Sequence, residues 1–227
     1  MRTAALITTA LLVLASASAA LADSIEGTAG NDTLNGTPHA DTIVALAGDD
    51  NVFALRGADV VDAGPGNDTV EGGSGRDRID GGDGNDTLHG GDGADVLRTG
   101  NEGDGFDVAY GEAGNDVLVV RTTENGSEPL LAGGDGRDVL RAVGSSSFAG
   151  VTEQGGPGGD RLYGSPGLDL LQGGDGNDVI HSEGDGVGAD EVECGPGKDV
   201  AYLDADPSGS QEFADSCERV IYVSQGG

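Results

Sequence analysis

Aspartate recurs at every ninth residue from Asp32 to Asp95, and the same phase continues after insertions as far as Asp199. Its neighbours recur as well, since residues 81–89 read GGDGNDTLH and residues 173–181 read GGDGNDVIH. A short fixed period is typical of units that cannot bury their apolar side alone and therefore stack on their neighbours. Stacking places the aspartates in columns. A column of carboxylates is unfavourable unless an opposite charge lies within it.

The unit itself predicts a turn followed by a short strand. Its eighth position is almost always a large apolar residue and its seventh is often β-branched, which favours a strand of three or four residues. The glycines that precede the strand supply turn conformations that other residues resist. Glycine at this density costs about 1 kcal/mol per residue inside a helix, which argues against a helical repeat.

Two such units close one coil, and the strands of successive coils stack in parallel. Residues 27–202 contain 18 units when the two degenerate units at 120–132 and 142–154 are counted. The predicted fold is therefore all-β, a parallel β-roll (β-solenoid) of about nine coils of two nonapeptides each, roughly 43 Å long at ~4.8 Å per coil.

The composition restricts the partners of the chain. Its 227 residues include 41 acidic and 11 basic side chains, for a net charge of −30, and 44 glycines. Such acidity often indicates disorder, but a disordered chain has no reason to keep apolar residues in a fixed phase. Nucleic acids and anionic membranes require basic patches, so we expect neither as a partner. Cations are the expected partners of what we predict to be a monomer.

The two ends of the chain predict export and a capped stack. Residues 1–22 combine Arg2, an apolar run and the cleavage pattern Ala20-Leu21-Ala22, which predicts a signal peptide and a secreted, extracellular product. The two cysteines, Cys194 and Cys217, predict a disulfide in that oxidising compartment, with free thiols or a zinc site as less favoured alternatives. We divide the chain into the signal peptide at 1–22, a repeat domain at 23–202 and a disulfide-pinned C-terminal cap at 203–227.

The unit Gly-Gly-x-Gly-x-Asp-x-(large apolar)-x resembles the RTX, or haemolysin-type, calcium-binding nonapeptide over residues 27–202. The segment from Cys194 to Val220 is similar to the closing segment of secreted bacterial calcium-binding proteins of this type. The resemblance implies a parallel β-roll in which turns of neighbouring coils hold several Ca²⁺ ions through aspartate side chains and glycine carbonyls. Ca²⁺ binds six to eight oxygen ligands in flexible geometry, which carboxylates and carbonyls provide.

Carried over to this chain, the resemblance implies one set of aspartate ligands and one set of carbonyl ligands. The aspartates are Asp68, Asp77, Asp86, Asp95, Asp116, Asp138, Asp160, Asp178 and Asp199, followed by Asp32, Asp41, Asp59 and Asp169. The carbonyl donors are Gly64, Gly66, Gly73, Gly75, Gly82, Gly84, Gly91, Gly93, Gly134, Gly136, Gly174 and Gly176. The alternative is that each aspartate only caps its own turn by accepting backbone hydrogen bonds. His39, Leu46 and Leu55 replace turn glycines in the early units, which leaves sites at Asp41, Asp50 and Asp59 open.

The parity of the units predicts two unlike edges. Even-numbered units carry an aspartate without interruption, whereas all four expanded units, which begin at Thr99, Val120, Ala142 and Ser182, are odd-numbered. If two units form one coil, one edge of the roll holds an unbroken aspartate column and the other collects every insertion. We expect a calcium spine on the first edge and a variable edge on the second.

The sequence contains no recognisable catalytic arrangement. Its three histidines, His39, His89 and His181, accompany no nucleophile, and Gly-x-Ser-x-Gly does not occur. We therefore expect a secreted, non-catalytic calcium-binding protein with a structural or binding role, which folds when it binds Ca²⁺. The alternatives are a calcium-dependent adhesin or matrix component with a cell-surface or glycan ligand, and an extracellular hydrolase or lyase. The site of such an enzyme would lie on the insertion-bearing edge, near Glu124 and Glu128.

Overall fold

The computed structural model describes residues 23–100, 106–122, 128–144, 150–182, 190–204 and 213–223. Within these ranges the chain forms 22 short strands. No helix of the described part is long and apolar enough to cross a membrane. The predicted signal peptide at 1–22 lies outside the described residues, as does Glu124.

The strands form two sheets. The first sheet contains, in spatial order, β1 (Ser24–Glu26), β3 (Thr42–Val44), β6 (Val60–Pro65), β8 (Arg78–Asp83), β10 (Val96–Arg98), β12 (Val117–Thr122), β14 (Val139–Gly144), β16 (Arg161–Tyr163), β18 (Val179–Ser182), β20 (Val200–Asp204) and β22 (Arg219–Val223). The second contains β2 (Thr33–Asn35), β4 (Asn51–Phe53), β7 (Thr69–Gly75), β9 (Thr87–Gly93), β11 (Val108–Gly114), β13 (Leu130–Gly136), β15 (Thr152–Gln154), β17 (Leu170–Gln172), β19 (Glu191–Glu193) and β21 (Phe213–Asp215), with β5 (Arg56–Gly57) pairing with β7. The chain alternates between the sheets, which confirms the parallel β-roll of about nine coils.

The register follows the nonapeptide. In the uninterrupted part, Ile43 pairs with Val61 and Val61 with Ile79, one coil of 18 residues apart. After the insertions, Leu97 pairs with Leu118 and Leu118 with Leu140, so the apolar position keeps its register although the coil is longer. A slip of one residue would turn this apolar row towards solvent, so burial of the row fixes the pairing.

The core consists of one row of large apolar side chains from each sheet, joined by smaller buried residues at position one, such as Ala45 and Ala54. Position eight is buried in coil after coil, and the largest fully buried side chains are Ile43, Ile79, Leu88, Leu97, Leu118, Leu131, Leu140, Leu162, Leu171, Ile180, Leu203 and Glu153. Position six also points inward, since side chains alternate between the faces of a strand. The column aspartates are therefore buried beside the apolar rows.

The two edges differ as the parity of the units predicts. We call the turns that lead from the second sheet to the first the continuous edge, and those that lead from the first to the second the insertion edge. Long connections join β10 to β11, β12 to β13, β14 to β15, β18 to β19 and β20 to β21, so all five belong to the insertion edge, including the four predicted ones. The central residues of these connections lie outside the described ranges.

The C-terminal segment continues the stack. Cys194 and Cys217 form the predicted disulfide, with their Cα atoms 5.1 Å apart. Beyond the last nonapeptide, β21 pairs with β19 and β22 pairs with β20, so both sheets extend by one further strand. Cys217 and Val220 pack against the end of the apolar core.

Candidate metal centre

The aspartates of the continuous edge form one uninterrupted hydrogen-bonded column. The backbone N–H of each aspartate donates to Oδ1 of the aspartate one coil further on, at 2.6 to 2.9 Å. The column comprises Asp41, Asp59, Asp77, Asp95, Asp116, Asp138, Asp160, Asp178 and Asp199. The N–H of Asp23 begins it by donating to Asp41, and the N–H of Asp199 ends it by donating to Glu218.

The column of the insertion edge is interrupted. It runs through Asp32, Asp50, Asp68, Asp86 and Asp107 with the same N–H to Oδ1 hydrogen bonds. Pro129 and Val151 then occupy the sixth position of the next two units, and the column resumes from Val151 to Asp169 and Asp190. The two edges therefore offer different numbers of stacked carboxylates.

The second carboxylate oxygen of most column aspartates has no partner. Oδ2 is buried without a hydrogen bond in Asp50, Asp59, Asp68, Asp77, Asp86, Asp95, Asp107, Asp116, Asp138, Asp160, Asp178 and Asp199. A buried carboxylate oxygen without a partner is costly, so each of these groups requires either a proton or a cation.

This burial raises the pKa of the carboxyl groups. The pKa is raised to about 7 for Asp86 and Asp116, and to about 6 for Asp59, Asp68, Asp138, Asp160 and Asp178. Desolvation is the largest cause, and for Asp116 the negative charges of Asp138 and Asp95 add to it. The hydrogen bond from the preceding coil acts in the opposite direction.

The turns place glycines against these oxygens and against the neighbouring coil. A Cβ atom at Gly81 would lie 2.5 Å from Oδ2 of Asp86, so position one of that unit cannot carry a side chain without displacing the carboxylate. Position two is left-handed, as at Gly73 with a φ of 100°, which glycine adopts at no steric cost. A Cβ atom at Gly73 would lie 1.9 Å from the carbonyl oxygen of Leu55, so carbonyl oxygens face the next coil at this position.

Two of the three early units whose sequences lack a turn glycine still adopt the turn geometry of the central units. Leu46 and Leu55 stand at position two in the turns of Asp50 and Asp59, and both are left-handed with a φ of 79°. These two turns therefore match the central ones. The turn of Asp41 differs, because Thr37 at position two donates hydrogen bonds to its own aspartate.

Family comparison identifies the same unit. The model of the RTX calcium-binding nonapeptide repeat (four copies) matches residues 20–52, 35–70, 71–102, 103–120 and 154–186, together 134 of the 227 residues. The chain belongs to this family. It is a calcium-binding repeat protein, as the sequence resemblance predicted.

Other comparisons add little to this RTX assignment. No curated protein matches the chain. Among solved structures, the chain is similar to the crystal structure of the extracellular lipase LipA from Serratia marcescens, with 19% sequence identity and a TM-score of 0.27. The similarity covers 80% of this chain and 34% of the lipase chain, so the RTX chain spans about a third of that enzyme's length.

The donor set of this RTX roll fits calcium. The Oδ2 atoms of twelve buried column aspartates lack a partner, and carbonyl oxygens of the turns lie between the same coils. Both are hard oxygen ligands of the kind Ca²⁺ prefers. In the described part of the chain no three carboxylate, histidine or cysteine side chains gather at one point. Backbone carbonyls such as those of the predicted glycines would therefore supply much of each coordination shell. The individual ligand assignments remain predictions.

One buried carboxylate was not anticipated from the sequence. Glu153 occupies the eighth position of its unit, between Leu131 and Leu171 in the apolar row of the second sheet. It is fully buried, and neither of its side-chain oxygens has a hydrogen bond of standard geometry. Burial raises its pKa well above the usual value and the charge of Asp169 adds to this effect, while long hydrogen bonds from the backbone of Tyr163 and Ala142 act in the opposite direction. Val151 stands at position six of the same unit, so the unit carries its carboxylate two residues later than the others do.

Replacement of Glu153 by leucine should stabilise the protein by about 1–3 kcal/mol at neutral pH, because it removes an unsatisfied buried polar group from an apolar row. Urea denaturation of the calcium-loaded protein measures the effect. Glu153→Gln is the matched control, since it keeps a polar group of the same size in the apolar row, and it should stabilise less. A loss of stability in Glu153→Leu would show that the carboxylate has a favourable partner in solution.

The raised pKa values predict how pH acts on the calcium-free protein. Folding favours the protonated carboxyl groups, because their pKa values of about 6 to 7 in the folded chain, as for Asp59 and Asp86, exceed the usual value of about 3.9. The resulting stabilisation is fully present below about pH 4 and is lost as pH rises through 6 and 7. Thermal denaturation in EDTA at pH 4.5, 5.5 and 6.5 should give a falling midpoint, and at pH 8 no folded protein should be left to melt. A midpoint that rises over this range would contradict the prediction.

Proposed function

We propose that the protein is exported, folds as it binds Ca²⁺ between stacked turns, and serves as a non-catalytic structural or binding element outside the cell. The observation that carries the proposal is the set of twelve buried aspartate Oδ2 atoms without partners. Many like charges at short spacing oppose stacking, and a divalent cation between the coils reverses the sign of that interaction. Binding free energy then becomes folding free energy.

The thin core supports the same proposal. Each sheet contributes one apolar row, and Glu153 interrupts one of them. The apolar contacts of a single row per sheet leave a large share of the stability to the ions. Extracellular calcium modules typically bind with Kd values of about 10⁻⁴ to 10⁻³ M, so folding would follow export to a calcium-rich medium. The Cys194–Cys217 disulfide is consistent with an oxidising compartment.

The experiment is a calcium titration of the chain without residues 1–22, followed by far-UV circular dichroism and by the hydrodynamic radius. At pH 8 we expect an expanded chain with little β signal in EDTA and a compact β-rich protein in millimolar CaCl₂. MgCl₂ at equal ionic strength is the control, because Mg²⁺ demands tighter octahedral geometry and should not replace Ca²⁺. Native β signal and native radius in EDTA would refute folding on calcium.

Export and the absence of catalysis need their own tests. Expression of the full chain in a Gram-negative host, with N-terminal sequencing of the exported product, should give a chain that begins at Asp23. An enzymatic site on the insertion edge has one observation in its favour, a cavity of about 280 Å³ lined in part by Glu128, Asp169 and Glu191. Screening against polysaccharides, esters and peptides, with Glu128→Gln as the matched variant, would reveal it. We expect no turnover.

A further inference from the structure

Four of the sixteen column aspartates differ from the others, because a side-chain or backbone donor satisfies their Oδ2 atom. They are Asp32, Asp41, Asp169 and Asp190. The remaining twelve are the aspartates whose buried Oδ2 has no partner. The two edges therefore contain two kinds of turn: those with an unpartnered Oδ2 require a cation, and those with a satisfied Oδ2 do not.

Three of the four satisfied turns share one geometry. Thr28, Thr37 and Ser165 stand at position two, and the backbone N–H of each donates to Oδ2 of the aspartate four residues later, at 2.5, 2.6 and 2.6 Å. Their hydroxyl groups donate to the same carboxylates at 2.8 to 3.0 Å. In the fourth turn, the hydroxyl of Ser182 at position one donates to Oδ2 of Asp190 at 2.7 Å.

The other turns use position two differently. It is left-handed in all twelve turns whose Oδ2 lacks a partner, namely at Leu46, Leu55, Gly64, Gly73, Gly82, Gly91, Gly100, Glu112, Gly134, Gly156, Gly174 and Gly195. None of Thr28, Thr37 and Ser165 has a positive φ. In the left-handed turns the N–H of position two is directed to the neighbouring coil, as Gly134 donates to the carbonyl of Gly155 at 3.0 Å. A left-handed residue at position two therefore accompanies an unpartnered Oδ2.

These hydrogen bonds do for the carboxylate what a cation would otherwise do. A carboxylate that accepts an N–H and an O–H is stabilised in its charged form without metal. The same donors direct hydrogen atoms, the positive ends of their dipoles, at the oxygen that a calcium ion would have to contact. A turn of this kind neither needs the ion nor leaves Oδ2 free for it.

We infer that Thr28, Thr37, Ser165 and Ser182 cap their turns without metal, and that calcium is confined to intervals between stacked turns whose Oδ2 is unpartnered. This inference rests on the proposed calcium-dependent function. It gives seven intervals on the continuous edge, from Asp59 to Asp199, and three on the insertion edge, from Asp50 to Asp107. The ceiling is therefore ten ions, whereas thirteen intervals exist if every stacked aspartate pair is counted.

Two neighbouring aspartates of the continuous edge provide a matched test. Asp41 and Asp59 each accept a backbone N–H on Oδ1, at 2.8 and 2.6 Å, but only Asp41 has a partner on Oδ2. Bound calcium is counted by equilibrium dialysis and native mass spectrometry at saturation, and circular dichroism in the same buffer verifies the fold. We expect ten ions for the unaltered chain and for Asp41→Asn, and at least one fewer for Asp59→Asn.

A gain-of-site variant tests the cap itself. Thr28→Gly restores the full pattern, because residues 27–32 would then read GGAGND. It should raise the count from ten to eleven, whereas Thr28→Ser keeps the hydroxyl and should leave the count unchanged. The inference is overturned if the unaltered chain binds more than ten ions, if Asp41→Asn loses as many ions as Asp59→Asn, or if a folded Thr28→Gly gains none. If Thr28→Gly does not fold, the pair of aspartate variants decides. An unaltered chain that binds no calcium would instead refute the proposed function.

Discussion

Replacing Asp116 by asparagine should shift the stability of the protein in opposite directions with and without calcium. The asparagine keeps the Oδ1 acceptor for the N–H of Asp95, now at 2.8 Å, and its own N–H still donates to Asp138. It removes the charge and replaces the unpartnered Oδ2 by an amide NH₂ group, which costs less to bury than a charge does. Without calcium the loss of a buried carboxylate should stabilise the folded state by about 1–3 kcal/mol.

In calcium the same replacement should destabilise the protein. Each site occupied at a calcium concentration of 10 times its Kd contributes about 1.4 kcal/mol, and Asp116→Asn should lose at least one such contribution. Urea denaturation at pH 8 measures both signs, in millimolar calcium and in EDTA with sodium sulfate added to populate the folded state. Asp92→Asn is the control, since it removes an exposed carboxylate outside the columns and should change neither condition strongly. Equal effects in both conditions would mean that the carboxylate acts only as a turn cap.

Two adjacent glycines should respond very differently to the same substitution. A Cβ atom at Gly158 would lie 1.5 Å from the carbonyl oxygen of Gly136 in the preceding coil. At Gly159 the nearest atom would be 3.6 Å away, which is ordinary contact. Gly158→Ala must push two coils apart and should cost about 3 kcal/mol or more, at the upper end of overpacking effects.

Gly159→Ala should change the stability by less than about 0.5 kcal/mol, as is usual for substitutions away from packed groups. Both variants are compared by urea denaturation at saturating calcium and by the number of ions bound. A Gly158→Ala protein as stable as Gly159→Ala would show that the coils are spaced more widely than the structure indicates. Such spacing would also be too wide for shared calcium coordination.

The period of the sequence was sufficient to predict the architecture. Nine-residue spacing and an apolar eighth position fix the strand register, because burial of one row leaves a single pairing. The parity of the insertions likewise predicted the two edges. The sequence did not predict that both sheets continue beyond residue 202, because the last strands, β21 and β22, no longer carry the repeat pattern.

Position two of the turn was not fully predictable from the sequence. Glycine at this position indicates a left-handed residue, so Leu46 and Leu55 left their sites open, yet both are left-handed in the structure. The strain of a left-handed leucine is about 1–3 kcal/mol, and neighbouring coils on both sides can impose it. Threonine at the same position differs in kind, because its hydroxyl and N–H hold the carboxylate directly. A threonine or serine at position two is the sequence feature that could have identified these turns. Glu153 lay in a position that the pattern assigned to apolar residues.

The confinement of long connections to the insertion edge has a practical consequence for protein engineering. A foreign peptide inserted between β10 and β11, or between β12 and β13, would lengthen its own coil and leave the opposite carboxylate column in register. Several such inserts would project from the same side of one rigid rod, one or more coils apart. The molecule could therefore serve as a display scaffold, on which the number of coils between two inserts sets the distance between the presented epitopes.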